Sequence, residues 1–510
     1  MSFALTNPLT LLTGKEPHEF NRQDFLNILA SRQIERITFH YTALDGKLKE
    51  LKIPVQNRKQ AERILASGER VDGSSLFKGL VDTAVSDLYV IPDYKTAFLN
   101  PFDSGSLDFI CRFINRNGER VPFALDNICF KAHETFKKNT GFELHALGEL
   151  EFFLLRDEPQ HLYPNPKQRG YHATSPFAKS GDVLNEMLNY ISAITGAVKY
   201  GHYEVGYVEK LASDNPEIDG KQAEQVEIEF LPVPVDEMGD HLVLARWIIR
   251  NVAYKHGMVA TFTPKLEEGV AGSGLHVHMA LMKNGKNKMV KPDGALSDEA
   301  MKVMGGLCRY ANSLTAFGNT VSSSYLRLVP DQEAPTRVCW SDMNRSAMVR
   351  VPLGWSNVRD LSKLVNPAQT EAFHDTDSRQ TVELRTGDGS AFVHLLLAGI
   401  TMAAESGLAD PDGVKTAEKL YVKGNIFEDK ETWNRLTPLP KCCVESSKLL
   451  VEIREQYEKD GIFPPSMIDY LSKQLATEYD EQLNRQLASL PPDERLRETR
   501  KVLHKDLHLH

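Results

Sequence analysis

Five short segments of this chain alternate apolar side chains with ionisable ones. They read GELEFFLL (148–155), GHYEV (201–205), EQVEIEFLP (224–232), LHVHMAL (275–281) and TVELRTG (381–387). On a strand, residues two apart share a face. Each segment therefore has an apolar face and a polar one. The polar faces carry Glu149 with Glu151, His202 with Glu204, Gln225 with Glu227 and Glu229, His276 with His278, and Glu383 with Arg385. One such strand is an ordinary half-exposed strand. Five of them constrain the fold, because side by side they gather carboxylates and imidazoles over one surface. Like charges so gathered raise one another's pKa values, and protons or cations must enter. Oxygen-rich ligands with an imidazole suit Mg²⁺ or Mn²⁺ better than zinc. Such ions among carboxylates typically handle phosphates, whose oxygens they neutralise.

The second half of the chain adds arginines: Arg327 in SSYLRLVP, Arg345 and Arg350 in NRSAMVRVP, and Arg385. Guanidinium groups clamp carboxylates and phosphates in a bidentate fork. Metals, carboxylates and arginines together point to phosphoryl transfer with an anionic co-substrate. Neither a GxxxxGK[ST] loop nor a kinase-type glycine loop is present, which disfavours those two classes. A net charge of −9 does not suggest a nucleic-acid partner. No apolar run approaches the roughly 20 residues that span a bilayer. The six cysteines form no CxxC pair, so reduced thiols and a cytoplasmic location are expected.

With 510 residues, more than one domain is expected. Residues 1–20 read as a loosely held leader, and 21–117 as a small domain of short strands with a hairpin around Asp45-Gly46. Residues 118–510 read as a large α+β domain. It opens on a helix near 124–140 and ends in a charged, helix-prone tail, solvated or touching another subunit.

These segments, in this order, resemble the glutamine synthetase family from about residue 30 to about 470. VDGSSLFKGLVDTAVSDLYVIPD is similar to the family's DGSS segment. GSGLHVHMAL, SSYLRLVPDQEAP, NRSAMVRVP, VELRTGD and GIFPPSMIDYL follow in family order. The resemblance implies a β-grasp N-terminal domain before a catalytic α/β domain with a curved antiparallel sheet. It implies a metal-dependent ligase in which ATP phosphorylates the γ-carboxylate of glutamate and ammonium displaces the phosphate. By matching position, Glu151, Glu204 and Glu227 would hold one ion, and Glu149, His276 and Glu383 the other. Arg327 and the Gly272 backbone would bind glutamate. His202, His278, Arg345 and Arg350 would meet ATP, with Arg345, Arg350 and Arg385 facing the transferring phosphoryl group. Asp72, Ser75, Tyr171 and Glu204 match the ammonium site, where Asp72 would take the proton, and Glu333 matches the flap over the intermediate. Self-association into a ring, a hexamer or dodecamer, is implied as well.

The chain departs from the family around these groups. Ala271 stands before GSG, Lys199 replaces an acidic residue, and Ala280 and Thr381 replace a serine and an arginine. Extra residues, roughly KLASDNPEIDGK, separate Glu204 from Glu227 and are expected near the mouth of the site. Three readings stay open: a divergent glutamine synthetase, a γ-glutamyl ligase using an organic amine or polyamine, and a non-catalytic relative.

Overall fold

The computed structural model describes residues 3–157, 162–165, 167–329, 334–354, 360–371, 373 and 377–509. Near the N-terminus, strands β1 (Arg36–Thr42), β2 (Leu48–Pro54), β3 (Glu69–Asp72), β4 (Asp87–Pro92), β5 (Phe98–Leu99) and β6 (Ser106–Ile114) form a small sheet. Its order is β2-β1-β6-β4-β3, with β5 added to β6. The β1–β2 hairpin turns at Asp45-Gly46, where Gly46 takes a positive φ of 74°. β1 and β6 run parallel, and the other pairs are antiparallel.

The large sheet contains β7 (Glu143–Arg156), β8 (Val198–Val208), β9 (Gln222–Phe230), β10 (Val233–Pro234), β11 (Val259–Thr261), β12 (Leu275–Lys283), β13 (Lys286–Asn287), β14 (Trp340–Asp342), β15 (Val349–Val351) and β16 (Val382–Leu384). Its order is β14-β15-β16-β12-β7-β9-β8, so all five alternating segments lie side by side in β16, β12, β7, β9 and β8. β14 and β15 are parallel, and the rest of this curled sheet is antiparallel. The fold is α+β, a β-grasp unit followed by the catalytic-type domain. We propose the boundary at 117/118, in the turns that precede the helix Leu125–Thr140.

The apolar faces of the five strands explain why the sheet is covered on one side. Leu150, Phe152 and Leu154 are fully buried, each worth roughly 1.5–3 kcal/mol relative to exposure. Helix Val235–Lys255 lies against β7, with Leu242 over Gly148. The polar faces point the other way and are left for chemistry. The small sheet is tied to this frame by Arg112 of β6, which pairs with Asp240 and Asp126. Trp247 adds an apolar contact, packed against His40, Phe98 and Phe102.

Two terminal segments are held more firmly than their composition suggests. Residues 1–20, expected to be loose, include helix Pro8–Thr13, with Leu9 fully buried and the Asn7 amide donating to the Ile194 carbonyl. The charged tail forms helix Pro492–His504, which docks on its own chain. Leu503 and Leu507 are buried, and their carbonyls accept from the Thr263 and Thr261 hydroxyls. Leu503 and Leu507, four residues apart, anchor the end of the tail beneath its charges.

Candidate active site

Strand register brings the ionisable residues face to face. Across β7 and β9, Glu149 is opposite Glu229 and Glu151 is opposite Glu227. His276 on β12 is opposite Glu149, His278 is opposite Glu383 of β16, and His202 on β8 is opposite Glu227. Like charges directly opposite each other destabilise a sheet. This sheet carries two such pairs on adjacent rungs.

Two clusters result. In the first, donor atoms of Glu149, His276 and Glu383 lie within 4.8 Å of one another. His276 Nδ1 is 2.8 Å from Glu149 Oε2, and His278 Nε2 is 2.8 Å from Glu149 Oε1. Arg350 donates to Glu383 at 2.7 Å, and Arg385 also donates to it. In the second, His202, Glu204 and Glu227 lie within the same 4.8 Å limit. Here His202 sits between the carboxylates, 3.3 Å from Glu227 and 3.6 Å from Glu204. Glu151, expected in this set, stands between the clusters. It accepts from the Gly274 N–H at 2.8 Å and the Gln225 amide at 2.9 Å. Glu149, Glu229 and His278 form a third close group, in which Lys199 reaches Glu229 at 2.7 Å.

The clusters differ electrostatically. Burial acts to raise Glu149, but His278 and His276 outweigh it and hold the carboxyl well below the usual range. Burial likewise opposes Glu383, yet Arg385 and His278 bring it to about 2. Glu204 goes the other way. Burial, then Glu151 and Glu227, push it up to about 8. Glu227 is raised well above the usual range by burial and by Glu149 and Glu151. The first cluster is thus compensated by imidazoles and guanidinium groups, whereas in the second His202 offsets too little, and crowding shifts its carboxyls towards the protonated form until a cation takes the proton's place. Crowded carboxylate oxygens with one imidazole fit hard divalent cations, so the donor set agrees with the expected metal chemistry.

Substrate-facing groups border the clusters. Arg327 is buried; its Nη1 donates to the Thr386 carbonyl at 3.1 Å, and its Nη2 lies 3.4 Å from His276 Nε2. A Cβ on Gly272 would meet the Pro264 carbonyl oxygen at 2.5 Å and Arg327 Cγ at 3.0 Å. Gly274 was not singled out from the sequence and is equally constrained: its Cβ would fall 2.7 Å from His276 Nε2 and 2.8 Å from Arg327 Nη2. The second glycine of GSG was the available signal. Gln225 and Thr381 were also missed as site residues. Gln225 holds Glu151, and the Thr381 hydroxyl lies 2.9 Å from His278 Nδ1.

Tyr171 stands on the rim, half exposed. Its ring stacks on His172 at 4.2 Å and meets His202 edge-on at 5.5 Å. Burial and Glu204 raise its phenol, against the positive charge of Arg345, which lowers it. Asp72 and Ser75 lie elsewhere, at the exposed end of β3 on the small sheet. Asp72 accepts from the Ser74 N–H at 2.9 Å and the Ser75 hydroxyl at 2.6 Å, and these and related serine bonds hold it near 2. The structure therefore assembles Glu149, Glu151, Glu204, Glu227, His202, His276, His278, Glu383, Arg327, Arg350 and Arg385, with Tyr171 and Arg345 at the edge. It does not bring Asp72 and Ser75 to them within one chain. Glu333 lies outside the described residues.

The extra residues between Glu204 and Glu227 pair with the terminal helix and the residues after it. The Ser213 hydroxyl lies 2.9 Å from His504 Nδ1, and Glu217 is 2.9 Å from His508 Nε2.

Comparison with known proteins follows this geometry. A family model described as glutamine synthetase, catalytic domain, matches residues 127–486, and the glutamine synthetase β-grasp domain matches residues 33–116. A glutamine synthetase of Aquifex aeolicus is 28% identical over 492 residues, covering 91% of this chain and 96% of the relative. One from Thermus thermophilus is 30% identical over 345 residues, covering 65% and 72%. Among solved structures, apo GmaS superposes with a TM-score of 0.70 at 21% identity, covering 93% of this chain and 98% of that one. A Plasmodium falciparum glutamine synthetase gives the same TM-score at 20% identity.

Proposed function

The chain belongs to the glutamine synthetase family of ligases, and on that footing we propose that it joins ammonium to the γ-carboxyl of glutamate through γ-glutamyl phosphate, at the expense of ATP. One observation carries the reading. Five adjacent strands present two cation-seeking clusters on one face, bordered by arginines. A carboxylate is a poor acyl donor, and phosphorylation gives it a leaving group. Glu151, Glu204 and Glu227, with His202 beside them, would hold one Mg²⁺ or Mn²⁺, and Glu149, His276 and Glu383 the other. When bound, these ions neutralise the phosphate oxygens. The residues of the chain do the rest. Arg327 and the Gly272 backbone orient the α-carboxylate of glutamate. His278, Arg345, Arg350 and Arg385 meet the charge that develops on the phosphoryl group. Glu204 and Tyr171 offer ammonium a negative, half-sheltered pocket. Asp72 and Ser75 of a neighbouring copy complete it in a ring-shaped assembly, and Glu333 closes over the intermediate. We place the enzyme in the cytoplasm, in line with six buried, unpaired cysteines.

One feature supports an organic amine as a second reading. The Tyr171, His172 and His202 rings, grouped beside Glu204, give the rim π-faces next to a carboxylate. That combination suits an alkylammonium. The deciding experiment is phosphate release from ATP with Mg²⁺ and glutamate, adding ammonium or single primary amines. Strong stimulation by ammonium supports the first reading, and stimulation by an amine alone supports the second. Silence with every nucleophile, in an assembled and metal-loaded preparation, overturns both.

A further inference from the structure

The loop 209–221 and the terminal helix enclose a cleft of about 530 Å³ outside the carboxylate face. Its walls have opposite sign. The loop contributes Asp214 and Asp219, while the helix and the residue after it contribute Arg497, Arg500, Lys501 and Lys505. Among the described residues no ion pair joins the acids and bases that line the cleft, and the Glu217–His508 contact lies outside that lining. Arg497 and Lys501 pair with Glu498, Arg500 with Glu267, and Lys505 with Glu478, whereas Asp214 and Asp219 have no cationic partner. Buried His504 joins the helix to the loop at the base of the cleft. Its Nε2 is 2.8 Å from the Leu266 carbonyl, which can only accept, so that nitrogen carries the proton. Nδ1 therefore accepts from the Ser213 hydroxyl at 2.9 Å. Walls of opposite sign that face each other across a cleft of this size, with no ion pair joining their lining residues, suit a molecule carrying both charges.

The cationic wall is joined to the reaction centre by two short paths. Arg500 binds Glu267 at 2.8 Å and the Leu503 carbonyl accepts from Thr263 at 3.0 Å; between these residues, the Pro264 carbonyl accepts from the Ser273 N–H and crowds Gly272. Lys505 binds Glu478, which accepts from the Ser322 N–H at 3.0 Å. Ser322 begins the helix Ser322–Arg327, and that helix ends on Arg327. Both paths end on the two groups assigned to glutamate.

We propose that this cleft is a second ligand site, for a small zwitterion of amino-acid type, and that its occupancy changes the affinity of the centre for glutamate. The carboxylate lies against Arg497 and Lys501, and the ammonium against Asp214 and Asp219. The coupling rests on the assignment of Gly272 and Arg327 to glutamate, and the binding does not.

The test is titration calorimetry on the assembled full chain with L-serine, L-asparagine and γ-aminobutyrate. Acetate and methylammonium serve as single-charge controls. At least one zwitterion is expected to bind at least tenfold more tightly than either control. That affinity should fall at least tenfold in both Asp214→Asn/Asp219→Asn and Arg497→Gln/Lys501→Gln, with turnover in the absence of the zwitterion unchanged. The bound zwitterion should then shift the KM for glutamate in the parent and not in the variants. Absence of binding, or equal binding in parent and both variants, overturns the site whatever the reaction proves to be. Binding that is lost in the variants but leaves KM unmoved keeps the site and overturns the coupling.

Discussion

Both sheets bury polar side chains, and they do so in opposite ways. In the small sheet, Asp108 is fully buried and three side chains meet it. His40 lies 2.6 Å away, the Asn100 amide donates at 2.7 Å, and the Ser106 hydroxyl donates as well. The hydroxyls of Thr38 and Ser106 are 2.7 Å apart behind it. One carboxylate is thus enclosed by donors. The large sheet aligns Glu149, Glu151, Glu227 and Glu229 on neighbouring rungs, with Glu204 and Glu383 alongside, and its imidazoles and guanidinium groups offset only part of that charge. A closed polar cluster serves the fold. An over-charged one costs stability and persists where a ligand or cation is to be bound.

The largest expected effect falls on the over-charged sheet. Glu227→Gln keeps the side chain's shape and removes one of the crowded charges. Turnover, read as phosphate release, should fall by about 10³-fold, the scale of losing a preorganised electrostatic group. The metal-free protein should melt no lower than the parent. A variant that melts lower while keeping its turnover would erase the distinction between the sheets.

The matching change in the small sheet is Asp108→Ala. It strands His40, Asn100 and Ser106 in the interior. Removing one partner of a buried pair costs about 3–5 kcal/mol, so urea unfolding should move to lower concentration. Turnover per folded molecule should stay at the parental level. A selective loss of turnover would show that the small sheet's cluster acts in catalysis.

Proton linkage sharpens the contrast further. Glu204 is held up at about 8, so the folded metal-free chain binds this proton more tightly than the unfolded chain does. The resulting stabilisation is present at low pH and fades as pH rises through about 8. A divalent ion must displace the same proton. Its affinity should climb about tenfold per pH unit for each proton released and level off above about 8. Mg²⁺ titrations between pH 6 and 9 read the slope, and a flat profile would refute the crowding at Glu204.

Much of this was legible in the sequence because strand alternation is local. GELEFFLL and LHVHMAL state which residues share a face, and the hairpin at Asp45-Gly46 and the helix start near Leu125 follow from turn chemistry and periodicity. Register is not local. Nothing in GHYEV says that His202 will sit opposite Glu227, and nothing near Glu151 says that Gly274 and Gln225 will bond it. The terminal helix was expected from its composition, and its docking on its own chain was not legible for a related reason. Its charges are conspicuous, whereas the leucines that dock it meet residues more than 200 positions away. The loop 209–221 was expected at the mouth, and its contacts with the tail, Ser213 with His504 and Glu217 with His508, could not be read from it.

The smallest expected effect concerns Asp72, the assigned group that belongs to neither cluster. Serine hydrogen bonds hold it near 2 on an exposed turn. A carboxylate that acidic is a weak proton acceptor, and what it offers ammonium is charge. Asp72→Ala should therefore slow amide formation by only about tenfold, below the usual range for a general base. Formation of γ-glutamyl phosphate, followed by rapid quench without a nucleophile, should be unchanged. An unchanged amide rate would remove Asp72 from the nucleophile's path. A loss of phosphorylation would move it to glutamate binding and join the small sheet to the charged face after all.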